Sequence, residues 1–193
     1  MPGDCIACVI VVLRPLFCGL PVDMIDIPPS TAVKPVTPVT FQCVLEAAST
    51  ANVPASALFA ILWVEGGHPG EAHRNRNGTY DLGPMQINSI WIPALRRAGF
   101  TRRDLKDSGC MNVLAGAAIL RTQLARSGRL AQALGDYHSR KPAHHNRYLK
   151  RIIYFFNQFL PGRIRAQDVL NRVNYRVTGN RGKNNTIKKR QKL

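Results

Sequence analysis

Acidic residues are scarce in this sequence, which has 11 Asp and Glu against 27 Lys and Arg and a net charge of +16 at pH 7. The positive excess is greatest at the end of the chain, where residues 163–193 hold ten basic residues and one acidic residue. Such an imbalance indicates an anionic partner: nucleic acid, a membrane surface or a cell-wall polymer. The final stretch, GNRGKNNTIKKRQKL, lacks the interleaved aromatic residues that stack on bases, so we expect no specific nucleic-acid binding.

Several motifs of catalysis and metal binding are also missing. The five histidines form no HExxH pair, and neither a phosphate-binding glycine loop nor a GxSxG turn occurs. Beyond residue 20, no two cysteines lie close enough in sequence for a zinc site. We therefore expect neither a metal ion nor an organic cofactor. Catalysis by a single serine or histidine stays open, and His138 is the histidine of most interest.

Long hydrophobic runs are missing as well. The stretch CIACVIVVLRPLFCGL (residues 5–20) is apolar, but Arg14 and Pro15 interrupt it before about 18 apolar residues accumulate. It resembles a secretory leader more than a membrane-spanning helix, although Asp4 precedes it where a leader has basic residues. We expect residues 1–20 to be a leader and the proline-rich residues 21–40 to be an extended linker. No transmembrane anchor is then expected after removal of the leader.

Two cysteines, Cys43 and Cys110, remain beyond the predicted leader. Their side chains could join the first helix of the domain to the start of a later one. Closing that loop would stabilise the fold by about 4 kcal/mol in the chain-entropy description. The alternative is a pair of buried free thiols in a cytosolic protein.

Hydrophobic periodicity predicts a mostly helical domain over residues 41–162. Helices are predicted from residue 41 onward and over 54–65, 88–98, 111–126, 129–137 and 145–160. Asn77-Gly78 predicts a two-residue hairpin turn between short strands. After residue 162 hydrophobic residues become rare, and residues 163–193 are predicted to form a basic, disordered tail.

These predicted elements give ordinary structural roles to several residues that would otherwise suggest a functional site. His68 and His73 fall in loops, while His144 and His145 fall at a solvated helix start. The 88–98 helix would carry Ile90, Trp91 and Leu95 on its apolar side, and Trp91 is interpreted as a core residue. In the 111–126 helix, Gly116 would mark a place of close packing.

The stretch LWVEGGHPG (residues 62–70) contains the most informative acid. Pro54 opens the predicted helix, and Glu65 then shares an apolar face with Leu58, Ile61 and Leu62 before Gly66-Gly67 ends it. Loss of hydration raises the pKa of a carboxyl group, so Glu65 is a candidate proton donor near neutral pH. The alternative is that Glu65 extends into water from a frayed helix end.

A lone acid restricts the chemistry that is possible. Glycosidic bonds break when the leaving oxygen is protonated, usually with a second carboxylate roughly 5 Å away in retaining enzymes. Glu71 and Asp81 are the acids nearest to Glu65 in sequence, but both lie in the predicted hairpin, where turn-stabilising roles are commoner. One acid suffices if the substrate supplies its own nucleophile, as the C6 hydroxyl of N-acetylmuramic acid can.

Four stretches in this order resemble the catalytic domain of soluble lytic transglycosylases: VEGG (64–67), NGTYDLGPMQINSIW (77–91), GCMNVLAGAAIL (109–120) and ALGDYHS (133–139). The resemblance covers about residues 41–160 and is greatest to a small subgroup associated with conjugation and secretion machines, the TrbN and IagB types. It implies a lysozyme-like fold, mainly α (α+β), in which a helical domain carries a small β-hairpin beside the active-site cleft.

The same resemblance implies roles for individual residues. Glu65 matches the single general acid, which then acts as the base, and Tyr137 matches a tyrosine that orients the catalytic carboxyl. The residues implied to contact the glycan are Gly83, Met85, Gln86, Asn88, Tyr137, His138 and Tyr148. Cys43 and Cys110 match a cysteine pair of the subgroup, which implies a disulfide. The sequence departs from the family pattern at Gly66, Pro84 and His138, where serine, leucine and asparagine are more usual.

The implied function is that of a periplasmic lytic transglycosylase acting on peptidoglycan glycan strands. It would cleave the β-1,4 bond between N-acetylmuramic acid and N-acetylglucosamine, leave a 1,6-anhydro end, and open the wall for a conjugation or secretion apparatus. Proteins of that apparatus are possible partners of the basic tail. Two alternatives remain: a hydrolytic muramidase, and a non-catalytic wall-binding adaptor of a secretion system.

Overall fold

A computed structural model describes residues 35–178 of the chain. The predicted leader, the first part of the predicted linker and the last fifteen residues, 179–193, lie outside the described residues. The helices are α1 Phe41–Ala51, α2 Ala55–Glu65, α3 Ile92–Arg97, α4 Arg102–Asp107, α5 Gly109–Ser127, α6 Leu130–His138, α7 Pro142–Phe159 and α8 Ala166–Thr178. A 3₁₀ helix, Ser89–Trp91, precedes α3, and the strands are β1 Ala72–Arg74, β2 Tyr80–Leu82 and β3 Ile87–Asn88. The fold is mainly α with one small sheet, as predicted.

Helix α2 lies at the centre of the hydrophobic core. It begins after Pro54 and ends at Gly66, whose left-handed φ of +61° and N–H bond to Leu62 O (3.1 Å) close the last turn. All of residues 57–64 are buried, because α1, α7 and α8 pack around the helix. The prediction that α2 has one apolar face was therefore too narrow, since the helix is enclosed on several sides.

The small sheet follows α2 and has the antiparallel order β1-β2-β3. Its hairpin differs from the two-residue turn predicted at Asn77-Gly78, because Arg74 pairs with Tyr80 and five residues connect the strands. The N–H of Asn75 donates to Thr79 O (2.8 Å), and Asn77 Oδ1 accepts from the Thr79 N–H (3.1 Å). These bonds close a wider loop than the dipeptide alone indicates.

Helix α8 corrects the prediction of a disordered tail over residues 163–193. Residues 166–178 are helical, and Val169, Leu170 and Val173 are buried against the core. The side-chain amide of Asn174 donates to Val39 O (2.6 Å) and accepts from the Val39 N–H (2.8 Å). The prediction failed because three apolar residues at helical spacing suffice for docking even in a polar segment.

The end of the predicted linker is also part of the folded structure. Thr37 forms an isolated bridge with Ser108, its N–H donates to Asp107 O (2.9 Å), and Val39 is buried. Next to this segment Cys43 and Cys110 form a disulfide between α1 and α5, with their Cα atoms 5.5 Å apart. The predicted pairing is confirmed, and the alternative of two free thiols is wrong.

Two histidines, His68 and His145, are buried. His145 lies on α7 with Nδ1 2.9 Å from Asp136 Oδ1 of α6, so it joins these helices and is not a solvated helix start. His68 does lie in a loop, but its Nδ1 is 2.8 Å from Val173 O of α8. Both imidazoles satisfy buried polar groups.

Within residues 35–178, no single helix has the length and apolar character needed to cross a membrane. Helices α1 and α2 together have the required length and apolar character, but the chain bends by 120° between them. In this fold α2 is a buried core helix.

Candidate active site

The end of α2 opens into a cleft of about 310 Å³ between the helices and the small sheet. Its walls are formed by Glu65, Asn77, Asp81, Gln86, Ile87, Asn88, Ile90, Trp91, Ile119, Tyr137 and His138. A larger depression of about 570 Å³, near Asn52 and Arg121, has neither a carboxyl nor an imidazole among its lining residues. The smaller cleft is therefore the better candidate for acid–base chemistry.

Glu65 is the last residue of α2 and reaches the cleft from the core. Its side chain is only 13% exposed, so the alternative of a frayed, solvated end is wrong. Burial raises the pKa of the carboxyl group to about 7, and the negative charge of Asp81 adds to the rise. Tyr148 and Arg151 act in the opposite direction, because a hydroxyl donor and a cation both favour the carboxylate. Near neutral pH, Glu65 can therefore both give and take a proton.

His138 and Tyr148 face Glu65 from α6 and α7. His138 Nδ1 is 3.9 Å from Glu65 Oε1, and its ring stacks on Tyr148 with the centroids 4.8 Å apart. Burial, with the nearby His144 and Arg151, lowers the pKa of His138, so the imidazole is neutral at neutral pH and does not fix Glu65 as a carboxylate by charge. The Tyr148 hydroxyl makes no hydrogen bond of ordinary geometry within residues 35–178, yet its interaction with Glu65 favours the ionised carboxyl.

A tight turn supports the cleft from behind. Gly83 has φ +64°, and a Cβ there would lie 2.5 Å from both Asn112 Nδ2 and Leu105 O, so only glycine fits. Gln86 also has a positive φ, +48°, and its Nε2 donates to Gly83 O (2.8 Å). A Cβ on Gly67 would lie 2.3 Å from Gln86 Nε2. Gly66-Gly67 and residues 83–86 therefore pack against each other beside Glu65.

Asn112 organises this turn, and the sequence reasoning missed it. Its buried amide donates to Leu82 O (2.8 Å) and Leu105 O (2.6 Å), while its Oδ1 accepts from the Met85 N–H (2.8 Å). The available signal was a polar residue on the core side of an otherwise apolar helix, α5. Arg151 was missed for another reason: its guanidinium donates to Val64 O from a position 87 residues away in sequence.

The residues predicted to contact substrate divide into two groups. Gln86, Asn88, Tyr137 and His138 line the cleft with Glu65. Gly83, Met85 and Tyr148 are buried and are not among the lining residues, so glycan contact by these three stays a prediction. Met85 packs in the core next to Gly116, where a Cβ would lie 2.4 Å from its Sδ, and the predicted close packing at Gly116 is thus confirmed.

Tyr137 is predicted to orient the Glu65 carboxyl, and the hydrogen bond that its hydroxyl makes in the structure goes to another group. Its hydroxyl donates to Met85 O (3.1 Å), which ties α6 to the turn before β3. The tyrosine that interacts with the Glu65 carboxyl through its hydroxyl is Tyr148. Tyr137, which lines the cleft, therefore stabilises the cleft wall. Tyr148 instead favours the ionised form of Glu65.

The sheet side of the cleft holds its carboxylate differently. Asp81 Oδ1 accepts from Asn88 Nδ2 (2.7 Å), and Oδ2 accepts from Asn75 Nδ2 (3.0 Å). This fits the predicted turn-stabilising role of Asp81, although the residue also lines the cleft. Trp91 is half-buried, and it packs on the core and lines the cleft at once. Ile90, predicted on the apolar side of the same helix, is 67% exposed and also lines the cleft. No group of three or more His, Cys, Asp or Glu side chains in residues 35–178 lies close enough to hold a metal ion.

A mainly helical domain with one buried carboxyl at the end of its central helix defines a lysozyme-like class of protein. Residues 42–151, more than half of the chain, match the family described as Transglycosylase SLT domain, and the protein belongs to that family. Membership supports a role on the peptidoglycan of the cell wall.

The chain is also similar to several named proteins over about half of its length. It is 33% identical over 115 residues to Invasion protein IagB of Salmonella typhimurium, an alignment that spans 57% of this chain and 72% of that protein. It is 31% identical over 105 residues to a peptidoglycan-binding-like protein of Escherichia coli O157:H7, over 50% of this chain and 63% of that one. Protein IpgF of Shigella flexneri is 35% identical over 89 residues, over 46% and 59% respectively.

Proposed function

We propose that the protein is a lytic transglycosylase that cleaves the β-1,4 bond between N-acetylmuramic acid and N-acetylglucosamine, with Glu65 as its only acid–base group. The observation that carries this proposal is the Glu65 carboxyl, 13% exposed in a cleft and with a pKa near 7. A group that must give a proton and then take one works best when its pKa lies near the working pH.

The reaction needs no external water. Protonated Glu65 gives its proton to the glycosidic oxygen, the C1–O bond breaks, and the N-acetylglucosamine end leaves as an alcohol. Positive charge develops at C1 of the muramic acid ring. The Glu65 carboxylate then removes the C6 hydroxyl proton while that oxygen bonds to C1. The product ends in a 1,6-anhydro ring, and Glu65 is protonated again.

Asp81 is the second carboxylate of the cleft, and its hydrogen bonds help to decide between a transglycosylase and a muramidase. A muramidase needs a second carboxylate as nucleophile or as the base for a water molecule. Both oxygens of Asp81 already accept hydrogen bonds from asparagine amides. Such bonds stabilise the carboxylate and lower its nucleophilicity, which favours the mechanism in which the substrate supplies the nucleophile.

We further propose that the protein works in the periplasm and opens the wall locally for a transenvelope apparatus. The name of the relative Invasion protein IagB and the basic C-terminal residues support this setting. The last fifteen residues hold six Lys and Arg and no acid, which suits an acidic partner or wall polymer. Cleavage activity in the purified protein would argue against a purely non-catalytic adaptor.

Mass spectrometry of muropeptides tests the chemistry directly. The full chain is incubated with purified sacculi beside Glu65→Gln and Asp81→Asn variants. We expect anhydro products, lighter than reducing ends by one water, with a rate about 10²–10⁴-fold lower for Glu65→Gln and retained activity for Asp81→Asn. Reducing-end products that disappear in Asp81→Asn would instead identify a muramidase. Unchanged cleavage by Glu65→Gln would sink the assignment of the acid.

A further inference from the structure

Helix α8 lies outside the part of the chain that matches the family, residues 42–151, yet it packs against the helix that carries Glu65. Its apolar residues Val169, Leu170 and Val173 are buried. Asn174 bonds both backbone groups of Val39, so α8 is also joined to the segment before α1. A helix added to the domain is therefore anchored at the core and not merely laid on the surface.

The contacts of α8 concentrate on the chain that follows Glu65. Val173 O is 2.8 Å from His68 Nδ1, and the Tyr175 ring meets the His68 ring edge-on at 4.4 Å between centroids. Arg176 forms an ion pair with Glu71. The loop that leaves the candidate acid is thus held by α8 at two positions, His68 and Glu71.

Arg172 extends this hold to the end of α2 itself. Its guanidinium lies over the Trp63 ring, 4.6 Å from the centroid, and a Cβ on Gly66 would lie 2.9 Å from its Nη2. Arg172 therefore stacks on Trp63 and lies close to Gly66, one residue on each side of the Val64-Glu65 pair. Helix α2 has no basic residue in its own last turn, although a cation there is favoured by the helix dipole. Arg172 from α8 and Arg151 from α7 place positive charge at that end instead.

We propose that Arg172 is a positioning residue: by clamping Trp63 and Gly66, it holds the end of α2, and with it the Glu65 carboxyl, in the geometry that the reaction needs. This inference rests on the proposed function of Glu65. Arg172 is not among the residues that line the cleft, so it acts through α2 and not on the substrate. A small misplacement of a reacting group lowers the turnover rate strongly, whereas substrate binding by the other cleft residues is preserved.

The test compares Arg172→Met, which keeps the length of the side chain but removes its charge and donors, with Arg172→Lys, which keeps a cation. Arg163→Met is the matched control, because it makes the same charge change at an exposed position between α7 and α8. Full-length variants are assayed on soluble, uncrosslinked glycan strands, well below the Tm of each variant. We expect kcat to fall about 10- to 100-fold for Arg172→Met with KM within about twofold, partial recovery for Arg172→Lys, and no change for Arg163→Met.

A second readout does not depend on activity. The ¹³C signal of the Glu65 carboxyl, assigned by its absence in Glu65→Gln, is titrated in each variant. We expect its midpoint to move down from about 7 in Arg172→Met, because a loosened helix end exposes the carboxyl to water. Mere loss of a cation would move the midpoint up, so the direction separates positioning from a charge effect. An unchanged kcat and midpoint would overturn the proposal even if Tm falls, and a raised KM with unchanged kcat would assign Arg172 to substrate binding instead. If the wild-type chain releases no product, the proposed function fails, and the titration alone decides the role of Arg172.

Discussion

The two walls of the cleft present different chemistry. The helical wall, formed by the ends of α2 and α6 with α7 behind them, carries the titratable groups Glu65, Tyr137 and His138. The sheet wall carries the amides Asn77, Gln86 and Asn88, and its one carboxylate, Asp81, is bound by amides on both oxygens. Burial between helices shifts the pKa of Glu65, while the turns and strands opposite supply fixed hydrogen-bonding groups. Titratable groups and fixed hydrogen-bonding amides thus come from different parts of the fold.

The sheet wall should be the easier one to break, through Asn112. Replacing Asn112 with Ala leaves the Met85 N–H and the carbonyls of Leu82 and Leu105 buried without partners. We expect the free energy of unfolding to fall by about 4 kcal/mol, measured by urea denaturation. Thr122→Ala, an exposed position on the same helix, serves as control and should change stability by no more than about 0.5 kcal/mol. A loss of unfolding free energy below about 1 kcal/mol for Asn112→Ala would mean that the 83–86 turn is stable without the hydrogen bonds of Asn112.

On the helical wall, removing the charge of Glu65 should stabilise the protein at high pH. The pKa of Glu65 is raised from 4.5 to about 7 on folding, so the folded state binds more protons than the unfolded state between these values, and stability falls as pH rises through that window. We expect Glu65→Gln to gain about 3 kcal/mol at pH 8 and almost nothing at pH 4. Thermal and urea unfolding at both pH values measure the gain. The exposed Glu46→Gln is the control, and an equal gain at pH 4 would contradict the stated cause.

Replacing Arg151 should give the smallest effect of the three, and it tests how a single charge on the helical wall acts on Glu65. Activity should decline on the alkaline side as Glu65 loses its proton, with a midpoint near pH 7 in kcat/KM. Arg151→Gln removes a cation that favours the carboxylate, so the midpoint should move to higher pH. Because Arg151 is solvent-exposed, we expect a shift below about one pH unit. Arg147→Gln, one turn earlier on α7, should shift the midpoint less. A move of the midpoint to lower pH in Arg151→Gln would contradict the stated effect of the Arg151 charge.

Local signals predicted the helical framework well because they depend on neighbouring residues. Pro54 and Gly66 set the limits of α2, and Gly116 marks the place where Met85 and Tyr137 approach. Motif order correctly brought Glu65, Gln86, Asn88 and His138 to one cleft. It did not predict the burial of Met85 and Tyr148, because a motif indicates that a position matters without indicating whether the side chain faces the cleft or the core.

Helix α8 shows the limit of composition as a guide. The segment around it is basic and poor in apolar residues, which predicts disorder when the chain is considered alone. Its stability depends on partners that lie far away in sequence, such as Val39, which is 135 residues from Asn174. The segment could be predicted to fold only if the surface offered to it by α1 and α2 were known.

The sequence by itself determined that a short apolar helix ends at one glutamate followed by two glycines, because proline, apolar spacing and glycine act through the local backbone. The tertiary structure decided what that glutamate can do. Its pKa near 7 depends on burial and on Asp81 from β2 and Tyr148 and Arg151 from α7. Its position depends on contacts of Arg172 with Trp63 and Gly66. Desolvation and charge act over a few ångströms in space, so only the folded arrangement of remote residues fixes them.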